Sequence, residues 1–291
     1  MDKKKIYPWY FAIGAVILYS ALFVAPSVLG IGYSLTDWSS YSDELNFVGF
    51  ANYLEIFSPE RDYLKYISNT LLFTLATTIL KTVLALAFAL LLSRGVVALN
   101  LHRAILYMPS VLSVLIVGMV FTSILNPQYG FLNEALRAVG LESLTQKWLT
   151  DPSLAMWSVI GVDVWRGMGY VMVILIVGIL SISPTYYEAA QIDGASAWRQ
   201  FTQITLPLLR PTLAVVIVLN VLYGLKVFEM VYVLTNGGPG RRTEVLYTAV
   251  FREFSQGRFA IGTALGTVML AIMVVLGIFM IRVLTRNEVQ E

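Results

Sequence analysis

Cysteine is absent from the 291-residue sequence, and histidine occurs once, as His102. Without thiols, the chain has no disulfides, thiolate metal sites or cysteine nucleophiles. A lone imidazole argues against a histidine metal centre or a Ser-His-Asp triad. Charge is scarce too: Asp, Glu, Lys and Arg make up 13% of the residues, about half the roughly 25% with which a soluble domain faces water. The net charge of +2 leaves no electrostatic footprint for nucleic acid. No G-x-x-x-x-G-K-[ST] run occurs, so the chain brings no phosphate-cradling loop of its own.

What is present is apolar: 57% of the residues are hydrophobic and the mean hydropathy is +0.73. These residues fall in long blocks instead of alternating, as lipid-facing helices do and barrel strands do not. A helix needs roughly 20 apolar residues to cross about 30 Å of hydrocarbon, and roughly 9–35, 67–93, 104–125, 154–181, 208–235 and 260–281 qualify. The pattern predicts an all-α integral membrane protein with six transmembrane helices. Lys3-Lys4-Lys5 and the run behind them resemble a signal peptide. The apolar stretch from Trp9 to Leu35 is nearly twice a signal's length of about 7–15 residues, so a retained first helix is expected.

Charge sets the orientation. With the N-terminus inside, the inner segments hold nine basic residues (Lys3, Lys4, Lys5, Arg94, Arg103, Arg199, Arg210, Arg282, Arg286) against five acids (Asp2, Glu188, Asp193, Glu288, Glu291). The outer segments hold eight basic residues and eleven acids. This balance favours both termini in the cytoplasm. The outer connections carry Phe47, Phe50, Tyr53 and Phe57, then Tyr247, Phe251, Phe254 and Phe259, which predicts short interfacial helices. Gly262 and Gly266, with Ala264 between them, offer a close-packing face if they are more than the glycine common in membrane helices.

Five charges fall inside spans: Lys81, Asp163, Arg166, Lys226 and Glu229. A charge in mid-bilayer costs at least ~2.5–3.5 kcal/mol, so each needs a partner or a cavity. Asp163 and Arg166 are three apart, as are Lys226 and Glu229, so each pair is expected to neutralise itself across one helix face. The pairs either orient helices or line a polar path with Trp157, Trp165, Asn220 and Tyr223. Lys81 either finds an acid elsewhere or snorkels toward an interface.

The most informative stretch is Ser183 to Pro211. Ser183-Pro184 is a cap followed by a first-turn proline, a strong helix start. Gly194 fits a helix end, Ser196 can cap a second helix through Phe201 and Ile204, and Pro207 marks the entry to the next span. The result is a helix-turn-helix on the inner face. Small residues (Ala189, Ala190, Ala195, Ala197) permit close approach, and Tyr186, Tyr187, Trp198 and Phe201 supply exposed apolar area. Such a patch rimmed by charge marks a protein contact, or an amphipathic linker resting on the bilayer.

The same stretch resembles the EAA loop of binding-protein-dependent ABC importer permeases: Glu188-Ala189-Ala190, three residues, Gly194, nine residues, then Ile204-Thr205-Leu206-Pro207. Phe50-x-Asn52-Tyr53, Asn69-Thr70, Asp193-Gly194-Ala195 and Leu234-Thr235-Asn236-Gly237-Gly238-Pro239 narrow the likeness to the carbohydrate-uptake branch, similar to maltose-type and glycerol-phosphate-type permeases. The extra N-terminal helices and large external domain of the maltose system's larger permease are missing, so the likeness does not fix the sugar.

The resemblance implies a type I importer permease fold in a bacterial cytoplasmic membrane. Residues 1–65 would form the first helix and an external segment, 66–283 the core with its loop at 183–211, and 284–291 a short cytoplasmic tail. It implies a second homologous permease, two cytoplasmic ATP-binding subunits that hold ATP and Mg, and an external sugar-binding protein. Coupling to the ATPase would fall to Glu188, Ala189, Ala190, Asp193, Gly194, Ala195, Ile204, Leu206 and Pro207. The substrate pathway would use Trp165, Asn220, Tyr223, Lys226 and Glu229, since sugar rings stack on aromatics while hydroxyls need amide and carboxylate partners. An ion-gradient-driven secondary transporter is the alternative, but no internal repeat with paired broken helices is evident. A membrane-embedded enzyme would have only Asp163 and Glu229 to work with, each beside a cation.

Overall fold

A computed structural model describes residues 9–93 and 98–284. Asp2, Lys3, Lys4, Lys5, Arg94, Arg286, Glu288 and Glu291, which carry part of the orientation argument, lie outside the described residues. Among those described the regular secondary structure is helical, with one isolated antiparallel bridge between Thr36 and Phe47.

The apolar blocks become α1 (Tyr10–Tyr33), α3 (Tyr63–Leu92), α7 (Ala155–Leu180) and α13 (Phe259–Leu284), each long and apolar enough to cross a membrane. The other two predicted spans are bent. The stretch near 104–125 divides into α4 (Leu99–Val111) and α5 (Val114–Ile124), which meet at 96°. The stretch near 208–235 begins with a 66° bend between α9 (Ala197–Leu208) and α10 (Arg210–Leu225), then stops and restarts as α11 (Glu229–Thr235). Among the described residues, length and composition therefore give four crossings, or up to six if each bent pair is one span. The bends have local causes. Pro109 lies in the last turn of α4, where proline withholds an N–H and crowds the preceding turn. Pro207 and Pro211 flank the bend at Leu209, so the span axis turns two residues beyond the predicted Pro207 entry.

Contacts divide the chain into two units. The first comprises the described residues of Met1–Leu64 and of Ala249–Ile272. Here α2 (Ala51–Phe57) is tied to the end of α1: the Asn52 amide donates to the carbonyls of Ser34 and Thr36, both at 2.8 Å, and the Tyr53 and Ser34 hydroxyls lie 2.6 Å apart. These two members of the Phe50-x-Asn52-Tyr53 motif thus hold a turn together. Glu253 is fully buried and pairs with Arg258 at 2.5 Å and Arg252 at 3.3 Å. Phe47, Phe50 and Phe57 remain exposed. The close backbone approach expected at Gly-x-x-x-Gly is not seen among the described residues. A Cβ at Gly262 would come within 2.6 Å of the Phe254 ring, whereas one at Gly266 would meet nothing within 4 Å.

The second unit takes in Lys65–Thr248 and the described part of Met273–Glu291. Its core runs along α7, where Val159, Ile160, Met172 and Leu175 are buried. The buried face of α3 is lined by threonines, and the Thr70, Thr74 and Thr77 hydroxyls each donate 2.7 Å back to the carbonyl four residues earlier. In a medium without water this satisfies the hydroxyls inside their own helix. The Asn69-Thr70 pair clasps the segment after α11. Asn69 donates to the carbonyls of Arg242 (3.0 Å) and Glu244 (2.9 Å), and the Thr70 hydroxyl accepts from the Leu246 N–H (2.9 Å).

Candidate functional site

Two places in the second unit gather the residues singled out above. The first is a helical handle following α7. Ser183 precedes α8 (Pro184–Ile192), which starts on a proline as predicted. The Ser183 hydroxyl, however, bonds to Thr185 Oγ1 at 3.2 Å and not to the backbone. The far end of α8 closes by two bonds, Gly194 N–H to Gln191 C=O (3.0 Å) and Ala195 N–H to Ala190 C=O (2.8 Å), the paired arrangement that ends a helix on a left-handed residue. Gly194 supplies that residue at φ +71°. The Ser196 hydroxyl accepts the Arg199 N–H at 3.3 Å and opens α9. Tyr187 then locks the two helices, its hydroxyl 3.0 Å from that of Thr205.

This geometry sorts the motif residues. Glu188, Ala189, Asp193 and Gly194 are exposed, while Ala190, Ala195, Ile204, Leu206 and Pro207 are half-buried between the handle's helices and the span. Among the aromatics, Tyr186 and Trp198 stand free, but Tyr187 turns inward and Phe201 is partly covered, its ring 5.5 Å from Trp198. Ile192 is the most protruding apolar residue of the handle, 87% exposed. Sequence reasoning passed over it, although it lies at the C-terminal end of α8, beside the left-handed turn. A cavity of about 740 Å³ opens beside Glu188, Tyr187 and Gln191.

The second place lies among α3, α7 and α10. Lys81 Nζ meets Asp163 Oδ2 at 2.6 Å, with side chains 4% and 1% exposed. The Tyr223 hydroxyl donates to Asp163 Oδ1 at 3.0 Å, and the Lys81 ammonium sits 4.4 Å from the centre of the Tyr223 ring. This corrects the expected Asp163–Arg166 pairing. Arg166 instead gives its Nε and one Nη to the Leu112 carbonyl, both at 3.2 Å. That carbonyl lies in the break between α4 and α5, where no helical donor reaches it, and irregular backbone at membrane depth must find partners inside the protein. The lone Lys81 thus finds its acid on another helix.

The expected Lys226–Glu229 pair does not form either. The rule for residues three apart assumes a continuous helix, but α10 ends at Leu225 and α11 begins at Glu229. Among the described residues neither side chain takes an ion-pair partner, and both are exposed. They line a cavity of about 380 Å³ together with Tyr223, Phe228 and Tyr247. Of the predicted pathway residues, the structure brings Tyr223, Lys226 and Glu229 together there. Asn220 is buried with its amide nitrogen unpartnered, and Trp165 packs at 5.1 Å on Phe121 of α5. Neither lines that cavity.

The family described as the binding-protein-dependent transport system inner membrane component matches residues 81–288. The probable ABC transporter permease protein YurN of Bacillus subtilis is 33% identical over 285 residues, 97% of each chain. The trehalose/maltose transport system permease protein MalF of Thermococcus litoralis is 33% identical over 257 residues, 88% of this chain and 86% of its own. Among solved structures, a bacterial ABC transporter involved in the import of the acidic polysaccharide alginate superposes with a TM-score of 0.83 at 26% identity, over 96% of this chain and 95% of that one.

Proposed function

Because the chain belongs to the family of binding-protein-dependent transport system inner membrane components, we propose that it is the permease subunit of an ATP-driven sugar uptake system. It crosses the inner membrane several times. In this reading the crossings number six, each bent pair counting once, with both termini in the cytoplasm. A second, homologous permease completes the pathway, two cytoplasmic ATP-binding subunits hold ATP and Mg, and an external binding protein delivers the sugar. The ATPases grip the handle at 184–205, and their closure rocks the spans from inward-open to outward-open.

The handle carries this reading. It places a row of exposed side chains (Tyr186, Glu188, Asp193, Trp198) on a rigid two-helix unit directly connected to α7 and α10. Protein contacts favour such a patch. A sugar is favoured by the aromatic and charged lining of the cavity at 223–229 and by relatives described as carrying trehalose, maltose or alginate.

The test is reconstitution with the partner permease, the ATPases and the binding protein, using the sugar that co-purifies with that binding protein. Glu188→Lys should abolish stimulation of ATP hydrolysis by the loaded binding protein while the chain still inserts. Glu229→Ala should impair uptake and leave that stimulation intact. Normal uptake by Glu188→Lys, or labelling of residues 186–201 from outside the cell, overturns the reading.

A further inference from the structure

The second break of the fifth span, at 226–228, contains no proline or glycine, yet the helix stops at Leu225 and restarts at Glu229. The last turn before this break is held from two sides. Behind it, Gly224 lies against α3, where an added Cβ would come 2.8 Å from the Thr74 Cα. Beside it, Tyr223 is fixed at both ends of its ring system. Its hydroxyl donates to Asp163 and its face receives the Lys81 ammonium. The backbone continues the chain of contacts: the Tyr223 carbonyl accepts the Lys226 N–H at 3.1 Å, and the Gly224 carbonyl accepts the Val227 N–H at 3.1 Å. The Lys81 stem itself runs over Gly167, where a Cβ would lie 2.7 Å from Lys81 Cε.

A buried ion pair is a poor source of stability, since apolar residues of similar volume commonly do as well or better. Its presence at this point is therefore better accounted for by position than by stability. We propose that Lys81, Asp163 and Tyr223 form a latch that fixes the break at 226–228 and so sets where Lys226 and Glu229 stand on the cavity wall. These three are positioning residues. The assignment of that wall to the sugar pathway rests on the function proposed above, whereas the latch rests on the contacts alone.

The absence of cysteine makes the test direct. Glu229→Cys gives the assembled complex a permease thiol at the break, and its labelling rate by a water-soluble maleimide reports the position of the segment. Val139→Cys, at a site 69% exposed in the connection between α5 and α7, is the control. A hydrogen bond to a charged group is worth enough that losing it should speed labelling about tenfold. Tyr223→Phe should therefore accelerate labelling at the break and leave the control unchanged. Lys81→Met with Asp163→Leu removes the pair without stranding a charge and should do the same, and adding Tyr223→Phe to it should change nothing more. Rates within twofold of the parent, additive accelerations, or equal acceleration at the control each overturn the latch. Uptake is read separately, in the same latch variants with Glu229 intact: faster labelling with unaltered sugar transport leaves the latch standing and refutes the pathway assignment of the wall.

Discussion

Gly194 can matter for either of two reasons, and they separate by substitution. One is backbone shape: its φ of +71° lies in the left-handed region, where an L-residue costs roughly 1–2 kcal/mol. The other is contact: a docked partner could press so closely on the turn that no side chain is tolerated. Within the chain the Cβ direction is open, with nothing inside 4 Å, so any clash would have to come from outside. If shape governs, Gly194→Ala should shift the handle from its helix-ending turn by a factor of roughly 5–30, the equivalent of 1–2 kcal/mol. Gly194→Asn should do better, because asparagine visits this region at small cost. Gly194→Val should do worst, since a branched Cβ makes positive φ a true outlier. The assay is the ratio of sugar transported to ATP hydrolysed in proteoliposomes, which reads coupling and not protein yield. The expected order is Gly, Asn, Ala, Val. If Asn fails as badly as Val, while both proteins insert and assemble normally, the backbone argument is refuted and close approach of the partner replaces it.

The buried pair gives a stability prediction in the same complex. Asp163→Asn strands the Lys81 ammonium in an apolar surround and should cost about 3–5 kcal/mol, whereas Lys81→Met with Asp163→Leu should recover most of it; survival after heating, read by size-exclusion, checks both, and equal losses would contradict a dry site. Two glycines should behave oppositely in that assay. Gly224→Ala drives a Cβ into the α3 backbone at Thr74 and should cost about 1–3 kcal/mol, while Gly266→Ala enters open space within a helix and should gain up to about 1 kcal/mol. Asn69→Ala removes two bonds to the Arg242 and Glu244 carbonyls, at about 0.5–1.5 kcal/mol each, and should speed amide exchange across 237–246 with little change elsewhere.

Most of the helices were legible because hydropathy over twenty residues is a coarse signal that lipid enforces. The handle was legible for a different reason: Pro184, Gly194 and Ser196 each act on backbone within a few residues of themselves, so local rules suffice, and the structure returns a helix start, a left-handed turn and a cap at those positions. Local rules fail for the charges. Spacing of three made Asp163 and Arg166 seem partners, but a carboxylate on a buried helix face answers to whatever crosses it, here Lys81 from α3. A stricter use of the sequence could have found this. A lone lysine in a span needs an acid, and the spans contain only two, Asp163 and Glu229. The break at 226–228 was beyond that logic, for it holds no proline or glycine and Gly224 in the turn before it does not by itself end a helix. It depends on a clamp assembled from three helices, with Thr74 behind Gly224 and Asp163 beside Tyr223. The motif residues Asn52, Tyr53, Asn69 and Thr70 show the converse: as family signatures they pointed to sugar uptake, yet their contacts serve loop ends and not the cavity. Such a signature marks architecture, so on the function proposed above the residues that meet the sugar are to be sought elsewhere, on the cavity wall at Lys226, Phe228 and Glu229.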